Sequence, residues 1–354
     1  MNRDEILDWL LETDPVRLEE LWERADAVRE AHVGMAVHLR GLIEIGNHCV
    51  RKCAYCGIAA CAPGMERYRL AFQDIIDCAV RGQAFGFGTV VMQSGEDPGI
   101  TREFMVDVIR TIKRRTGMAI TLSLGERREE DLRAWKEAGA DRYLLRFETT
   151  DPELYRTIHP SLPGTALSDR LQQLLLMREI GFEIGTGVMV GIPGQTWATL
   201  ATDIWTFRDF DMDMIGIGPF ILSPGTPLDG ELGEQLRREA GTGQVPSDEL
   251  TTLKALALTR LLCPDTNIPS TTALATLDPG AGRANGLKVG ANVVMPNLTP
   301  PKYRVLYRIY PGKAGLQETA DITRDKIEAQ IHALGRSIGR GPGGRGRANM
   351  VGID

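Results

Sequence analysis

Apolar residues in this chain recur in two rhythms. Over the first 32 residues, Ile6, Leu7, Leu10, Leu11, Leu18, Leu21 and Trp22 fall at helical spacing, with Asp4 placed to cap a first turn. Beyond them, short apolar and β-branched runs alternate with amphipathic helical stretches. The predicted strands are 37–45, 88–93, 118–124, 142–147, 183–190, 214–221, 267–276 and 291–295. Between them lie predicted helices at 73–85, 101–115, 128–138, 168–180, 196–210 and 246–262. Strands that alternate with helices predict a parallel sheet with helical crossovers. Runs such as Tyr143-Leu144-Leu145 and Val188-Met189-Val190 are apolar at successive positions, as strands covered on both faces require. The fold class expected is α/β, an eight-stranded (β/α)8 TIM-type barrel with an N-terminal helical extension. A doubly wound open sheet is the alternative that periodicity leaves open. The expected division is a helical extension (1–34), a barrel (35–310), and a C-terminal helix with a Gly/Arg-rich tail (311–354).

Composition changes this picture little. The 354 residues are 43% hydrophobic and 25% charged, and the formal net charge is −6, so the molecule offers no broad cationic surface to nucleic acid. The stretch from Gly335 to Arg347, rich in Gly and Arg, reads as a disordered, solvated tail. The polar start Met1-Asn2-Arg3-Asp4-Glu5 is unlike a secretory signal, and no apolar run reaches the ~20 residues that span a bilayer. A soluble, cytoplasmic protein is expected, with no membrane partner.

The ends of the predicted strands carry the candidate chemistry. Gln93-Ser94-Gly95-Glu96-Asp97, Ser123-Leu124-Gly125-Glu126, Arg146-Phe147-Glu148, Ser270-Thr271-Thr272 and Met295-Pro296-Asn297 gather polar and ionisable groups where barrel enzymes build their sites. Arg146 and Glu148, two apart on one strand, share a face. They must pair or bind a ligand if buried, and a structural salt bridge is the plainer alternative. Of six cysteines, three stand in Cys49-Val50-Arg51-Lys52-Cys53-Ala54-Tyr55-Cys56, a C-x3-C-x2-C spacing that reads as metal binding rather than as a disulfide framework. Three thiolates on one loop can hold three irons of a cubane and leave the fourth open to a substrate group. Structural zinc, with His48 or Cys61 as fourth ligand, is the competing reading. Cys78 and Cys263 read as small buried hydrophobes, and Cys61 as an ordinary loop cysteine.

The cysteine spacing directly after a first strand, with Tyr55 before the last cysteine, resembles the signature of the radical S-adenosylmethionine (SAM) superfamily. That resemblance implies a 4Fe–4S cluster on Cys49, Cys53 and Cys56, and SAM as the molecule that meets the open iron. It also implies an external electron donor and cleavage of SAM to methionine and a 5'-deoxyadenosyl radical. Ser94-Gly95-Glu96 resembles the family's Gly-Gly-Glu segment that meets the SAM amino group. Gly187 to Gly194 resembles its adenine-contacting strand, which assigns Met189 and Gly191 to the cofactor. Tyr55, Ser123, Glu148 and Arg170 complete the cofactor set that the resemblance implies.

Further segments, among them Cys49 to Ile58 (CVRKCAYCGI), Ala138 to Arg146 (AGADRYLLR), Gly185 to Gly194 (GTGVMVGIPG) and Gly290 to Pro300 (GANVVMPNLTP), resemble the FeFe-hydrogenase maturase HydE family. Biotin synthase and methylornithine synthase share the wider frame. The resemblance implies a part in assembling the diiron subcluster of the hydrogenase H-cluster. Its implied substrate is a small iron–cysteine carbonyl cyanide complex, and other hydrogenase maturases are implied partners. Substrate-binding positions carried over are Thr121, Arg142, Arg146, Thr271, Thr272, Met295 and Tyr307. Phe147, where the family often has His, and Ala275, where it often has Gly, depart from the pattern. A methylornithine-synthase-like lysine mutase and a zinc-organised binding barrel are the rival readings.

Overall fold

The computed structural model describes residues 1–62 and 64–346. The alternation of strands and helices closes into a ring. The strands are β1 (Ala36–Gly46), β2 (Thr89–Ser94), β3 (Ala119–Ser123), β4 (Arg142–Leu144), β5 (Glu183–Val190), β6 (Met214–Pro219), β7 (Val293–Val294) and β8 (Ser337–Ile338). They run in the order β6-β5-β4-β3-β2-β1-β7, every neighbour parallel. Parallel bridges from Met214 to Asn267 and from Pro269 to Val293 complete the circuit between β6 and β7. The fold is therefore a (β/α) barrel and not an open doubly wound sheet. Ile43, Val90, Ile120, Tyr143, Ile184 and Ile215 are fully buried in the layer between the strands and the surrounding helices, which is where most of the apolar burial that stabilises a barrel resides.

Three expectations are corrected. Residues 1–32 are helical as expected, in two helices, but the cap differs: Arg3–Leu11 is capped by the Asn2 side chain, not by Asp4, and Pro15–Val33 starts under the Asp14 carboxylate. Pro15, which lacks an N–H, suits a first helical position and stops the preceding helix from running through. Residues 267–276 are not a strand. They are extended only to Pro269, after which the Thr271 hydroxyl accepts from Leu274 N–H and caps the helix Thr272–Leu277. The β-branched threonines suggest a strand, but here one of them is a cap.

The third correction concerns the Gly/Arg-rich tail, which is held against the barrel as far as Arg345. β8 pairs with the start of β1, and the chain then crosses beneath the barrel. Arg40 Nη2 donates to the Gly343 carbonyl at 2.8 Å, and Thr89 Oγ1 to the Pro342 carbonyl at 2.9 Å. Arg345 is held between Asp211 and Asp265 at 2.6 and 2.9 Å. Arg345, which suggests a solvated tail, instead meets surface and half-buried carboxylates that hold the tail across the lower end of the barrel. Arg347 lies outside the described residues.

One buried carboxylate props the chain where it leaves β4. Asp203, fully buried on the helix Trp197–Asp209, accepts from Thr150 N–H and Thr150 Oγ1, both at 2.6 Å. Burial raises its pKa from 3.8 to about 7, and the Thr150 hydrogen bonds only partly oppose that. The native state thus holds a proton between about pH 4 and 7 that the unfolded chain releases, so stability falls as pH rises through that window. From pH 5 to pH 8 the Asp203 contribution should drop by roughly 2–3 kcal/mol. Melting curves of wild type and Asp203→Asn at the two pH values check this: the variant should gain relative to wild type at pH 8, and an unchanged gap contradicts it.

Candidate active site

The upper ends of the strands surround a cavity of about 340 Å³, within the usual range for a small-molecule site. The cysteine loop forms part of its rim. Asn47, at the end of β1, donates to the Glu66 and Leu306 carbonyls, and Arg67 donates to the carbonyls of Asn47, Ile58 and Ala59. Val50 N–H and Ala54 N–H donate to the Glu96 and Ile158 carbonyls, both at 2.9 Å. The loop is therefore shaped largely by bonds to backbone carbonyls and not by links between its sulfurs. Cys49 and Cys56 line the cavity, and Cys53 lies beneath them.

Burial raises the pKa of all three thiols, that of Cys53 to about 12, and neighbouring sulfurs further oppose ionisation of Cys53 and Cys56. Such thiolates form only beside a strong cationic centre, as metal ligation provides. Among the described residues, no three His, Cys, Asp or Glu side chains converge on a point suited to a single ion. A cubane asks for a different arrangement, with one thiolate to each of three corners. Cys61 is exposed, while Cys78 and Cys263 are buried as small apolar side chains.

Next to the loop, Ser94, Gly95 and Glu96 reach the cavity from the end of β2. A Cβ on Gly95 would stand 2.3 Å from the His48 carbonyl oxygen and 2.7 Å from Cys49 Cβ, so only glycine allows this approach. Arg51 binds Glu96 at 2.7 Å and Glu126 at 2.5 Å, and Glu126 in turn binds Arg170 at 3.0 Å. Arg170 also donates to the Arg146 carbonyl at 2.7 Å. This chain of alternating charges locks the wall from the cysteine loop across β2 and β3 to the helix Arg170–Ile180. Charged groups fixed in advance orient a polar ligand with little ordering cost.

Across the cavity, Glu148 is held at φ 66°, a conformation that non-glycine residues rarely adopt. The backbone there is fixed by Glu148 N–H to the Gly187 carbonyl and by the Asp203 prop at Thr150. Glu148 Oε2 lies 3.0 Å from Arg146 Nη2, a charge contact without good hydrogen-bond alignment. Burial raises the Glu148 pKa against the pull of Arg146 and Arg170. Glu148 Oε2 and Arg146 Nε are buried without a hydrogen-bond partner, as expected of groups that await a ligand.

Tyr55, Ser123, Met189, Thr271, Thr272, Met295 and Tyr307 also line the cavity. Besides Cys53, three residues of the expected set do not. Gly191 is a turn: its N–H is taken by Gln195 Oε1 at 2.7 Å, and a Cβ there would strike the Ser247 backbone. Thr121 is buried one layer lower, its hydroxyl unpartnered. Arg142, at the start of β4, is bound to Glu183, Thr89 and the Pro342 carbonyl of the tail. Its position along the strand places it at the end of the barrel opposite the cysteine loop. Phe147 packs on Phe207, with ring centroids 5.6 Å apart, so that departure from the family pattern falls outside the cavity.

Sequence reasoning named Glu126 at a strand end without giving it a role, and missed Arg51, His159, Glu44, Tyr310 and Lys313. Arg51 stands inside the cysteine motif and Glu126 at a strand end, so both carried a signal. Lys313 did not: only folding returns it to the cavity, where its ammonium pairs with Glu44 on β1.

This barrel, with its cysteine rim and polar wall, is that of a radical SAM enzyme. Residues 43–204 match the model of the radical SAM superfamily. The chain is 45% identical, over 93% of its length and 89% of the relative's, to the FeFe-hydrogenase maturase subunit HydE of Thermotoga maritima. It is 27% identical to the 3-methylornithine synthase of Methanosarcina acetivorans, over 88% and 80% of the two chains. The crystal structure of methylornithine synthase superposes with a TM-score of 0.79 at 23% identity, covering 96% of this chain and 94% of that one. That of the maturase HydG superposes with a TM-score of 0.75 at 18% identity, over 95% and 72%. The chain belongs to the HydE family of FeFe-hydrogenase maturases, whose superfamily works with a 4Fe–4S cluster and SAM.

Proposed function

We propose that this protein acts on a small anionic iron–cysteine complex during assembly of the hydrogenase diiron subcluster, in the cytoplasm, alongside other maturases and an external electron donor. The observation that carries the reading is the 45% identity spread over nearly the whole of both chains. The more distant methylornithine synthase relationship gives the lysine mutase less support.

The residues present suit the cofactors. Cys49, Cys53 and Cys56 would hold the cluster, and Gly95, Glu96, Arg170, Glu148 and Met189 would hold SAM. When bound, this pair supplies the electron and the 5'-deoxyadenosyl radical. The chain's own part is positional. Glu96, held by Arg51 and by Glu126 N–H, faces the rim as a fixed acceptor for an ammonium group. Arg146 presents its guanidinium with the Thr271 and Thr272 hydroxyls as donors to an anionic substrate. The closed lower barrel keeps water from that end.

The test is activation of apo-hydrogenase in a maturation mixture that lacks only HydE. This protein should restore activity, and it should form no methylornithine from lysine. Arg146→Gln should lower the activation rate about 10- to 100-fold, the scale of a lost charge-assisted bond, while SAM cleavage without substrate continues. Failure of the wild type to restore activity, with lysine converted, would replace this reading by the mutase.

A further inference from the structure

His159 ends the helix Pro152–Ile158 and is buried between the cysteine loop and the charged wall. Its ring stacks on Tyr155, with centroids 5.0 Å apart and planes within 8°. Its Nε2 lies 2.8 Å from Tyr55 Oη and 3.5 Å from Arg170 Nη1. Its Nδ1 lies 4.0 Å from Cys53 Sγ.

These neighbours decide which nitrogen carries the proton. Arg170 can only donate, so a hydrogen on Nε2 would oppose the guanidinium, whereas a bare Nε2 accepts from Tyr55 and is compatible with Arg170. A metal-bound Cys53 sulfur carries no hydrogen and can only accept. Both ends of the ring therefore ask for the same tautomer, with the hydrogen on Nδ1 and aimed at sulfur.

We propose that His159 is a positioning residue that donates an Nδ1–H hydrogen bond to Cys53 Sγ and thereby raises the reduction potential of the cluster held there. The physical reason is charge: reduction adds an electron to an anionic cluster, and a donor on a sulfur ligand stabilises the more negative state. Tyr55 and Arg170, which bracket Nε2, keep the donor aimed. Easier reduction matters in this site because the electron that opens SAM must pass through the cluster. The inference rests on the three-cysteine cluster assignment and adds a residue that lies off the cavity wall.

Two substitutions separate the two ends of the ring. Asn places its side-chain amide where Nδ1 stands, and Gln places it where Nε2 stands. His159→Asn should keep the donor to sulfur and lose Tyr55, whereas His159→Gln should keep Tyr55 and lose the donor. The readout is an electron-paramagnetic-resonance redox titration of the anaerobically reconstituted protein without SAM. His159→Gln should lower the reduced-to-oxidised ratio at fixed solution potential about tenfold, ~59 mV for a one-electron couple, and His159→Asn should stay near wild type. Loss of the cluster from His159→Gln but not from His159→Asn supports the same donor. An equal effect on both variants, or none on either, overturns it. A wild type that forms no 4Fe–4S signal would instead refute the cluster assignment.

Discussion

Cys53→Ala should reduce SAM cleavage to background while leaving the barrel folded. Cys53 is one of three partly buried loop cysteines, and its thiol is pushed to about 12 by burial. Its sulfur has little reason to be ionised except as a ligand. Two remaining thiolates cannot anchor three corners of a cubane. The loop itself should survive, because its shape depends on backbone bonds such as Val50 N–H to the Glu96 carbonyl and Ala54 N–H to the Ile158 carbonyl. The measurements are iron content and visible absorption after anaerobic reconstitution, methionine and 5'-deoxyadenosine formed with a reductant, and the melting temperature. Cleavage retained in the variant would remove Cys53 from the ligand set.

Lys313→Met should be the most destabilising single change along the cavity wall. The Lys313 ammonium pairs with Glu44, whose side chain is 1% exposed, and Lys313 itself is 5% exposed. Removing the cation leaves a carboxylate inside the barrel with no counter-charge, at a cost of about 3–5 kcal/mol. In a chain of this length that corresponds to a fall in Tm on the order of 10 °C. The double variant Glu44→Gln/Lys313→Met has no charge to strand and should recover most of the loss, as paired removal of buried ions commonly does. Thermal melts of the single and double variants decide it. A single variant within about 1 kcal/mol of wild type, or a double variant no better than the single, would show that the pair is not the strut described here.

The pair also explains why the barrel does not end where the periodic pattern does. Tyr310 and Lys313 lie beyond the last predicted strand, yet both line the cavity. Nothing in their local sequence marks them, because their partners, Thr276 and Glu44, are brought to them only by folding.

Local sequence was enough wherever neighbours along the chain do the chemistry. The order of strands and helices follows from short-range hydrophobic rhythm, and β5 spans the predicted residues 183–190. The cysteine spacing places three sulfurs on one loop whatever surrounds it. Arg146 and Glu148 do meet, but not as two positions on one strand face: β4 ends at Leu144 and the left-handed turn at Glu148 brings them together. Tertiary structure decided what depends on distant partners. It turned residues 271–276 from strand to capped helix, drew Arg142 to the lower end of the barrel, and tied the arginine-rich tail to carboxylates distant in sequence. It also brought Arg51, Glu126 and Arg170 into one charged wall. Periodicity and motif spacing report geometry within a few residues, whereas a buried charge is placed by whichever opposite charge or carbonyl the closed barrel sets beside it.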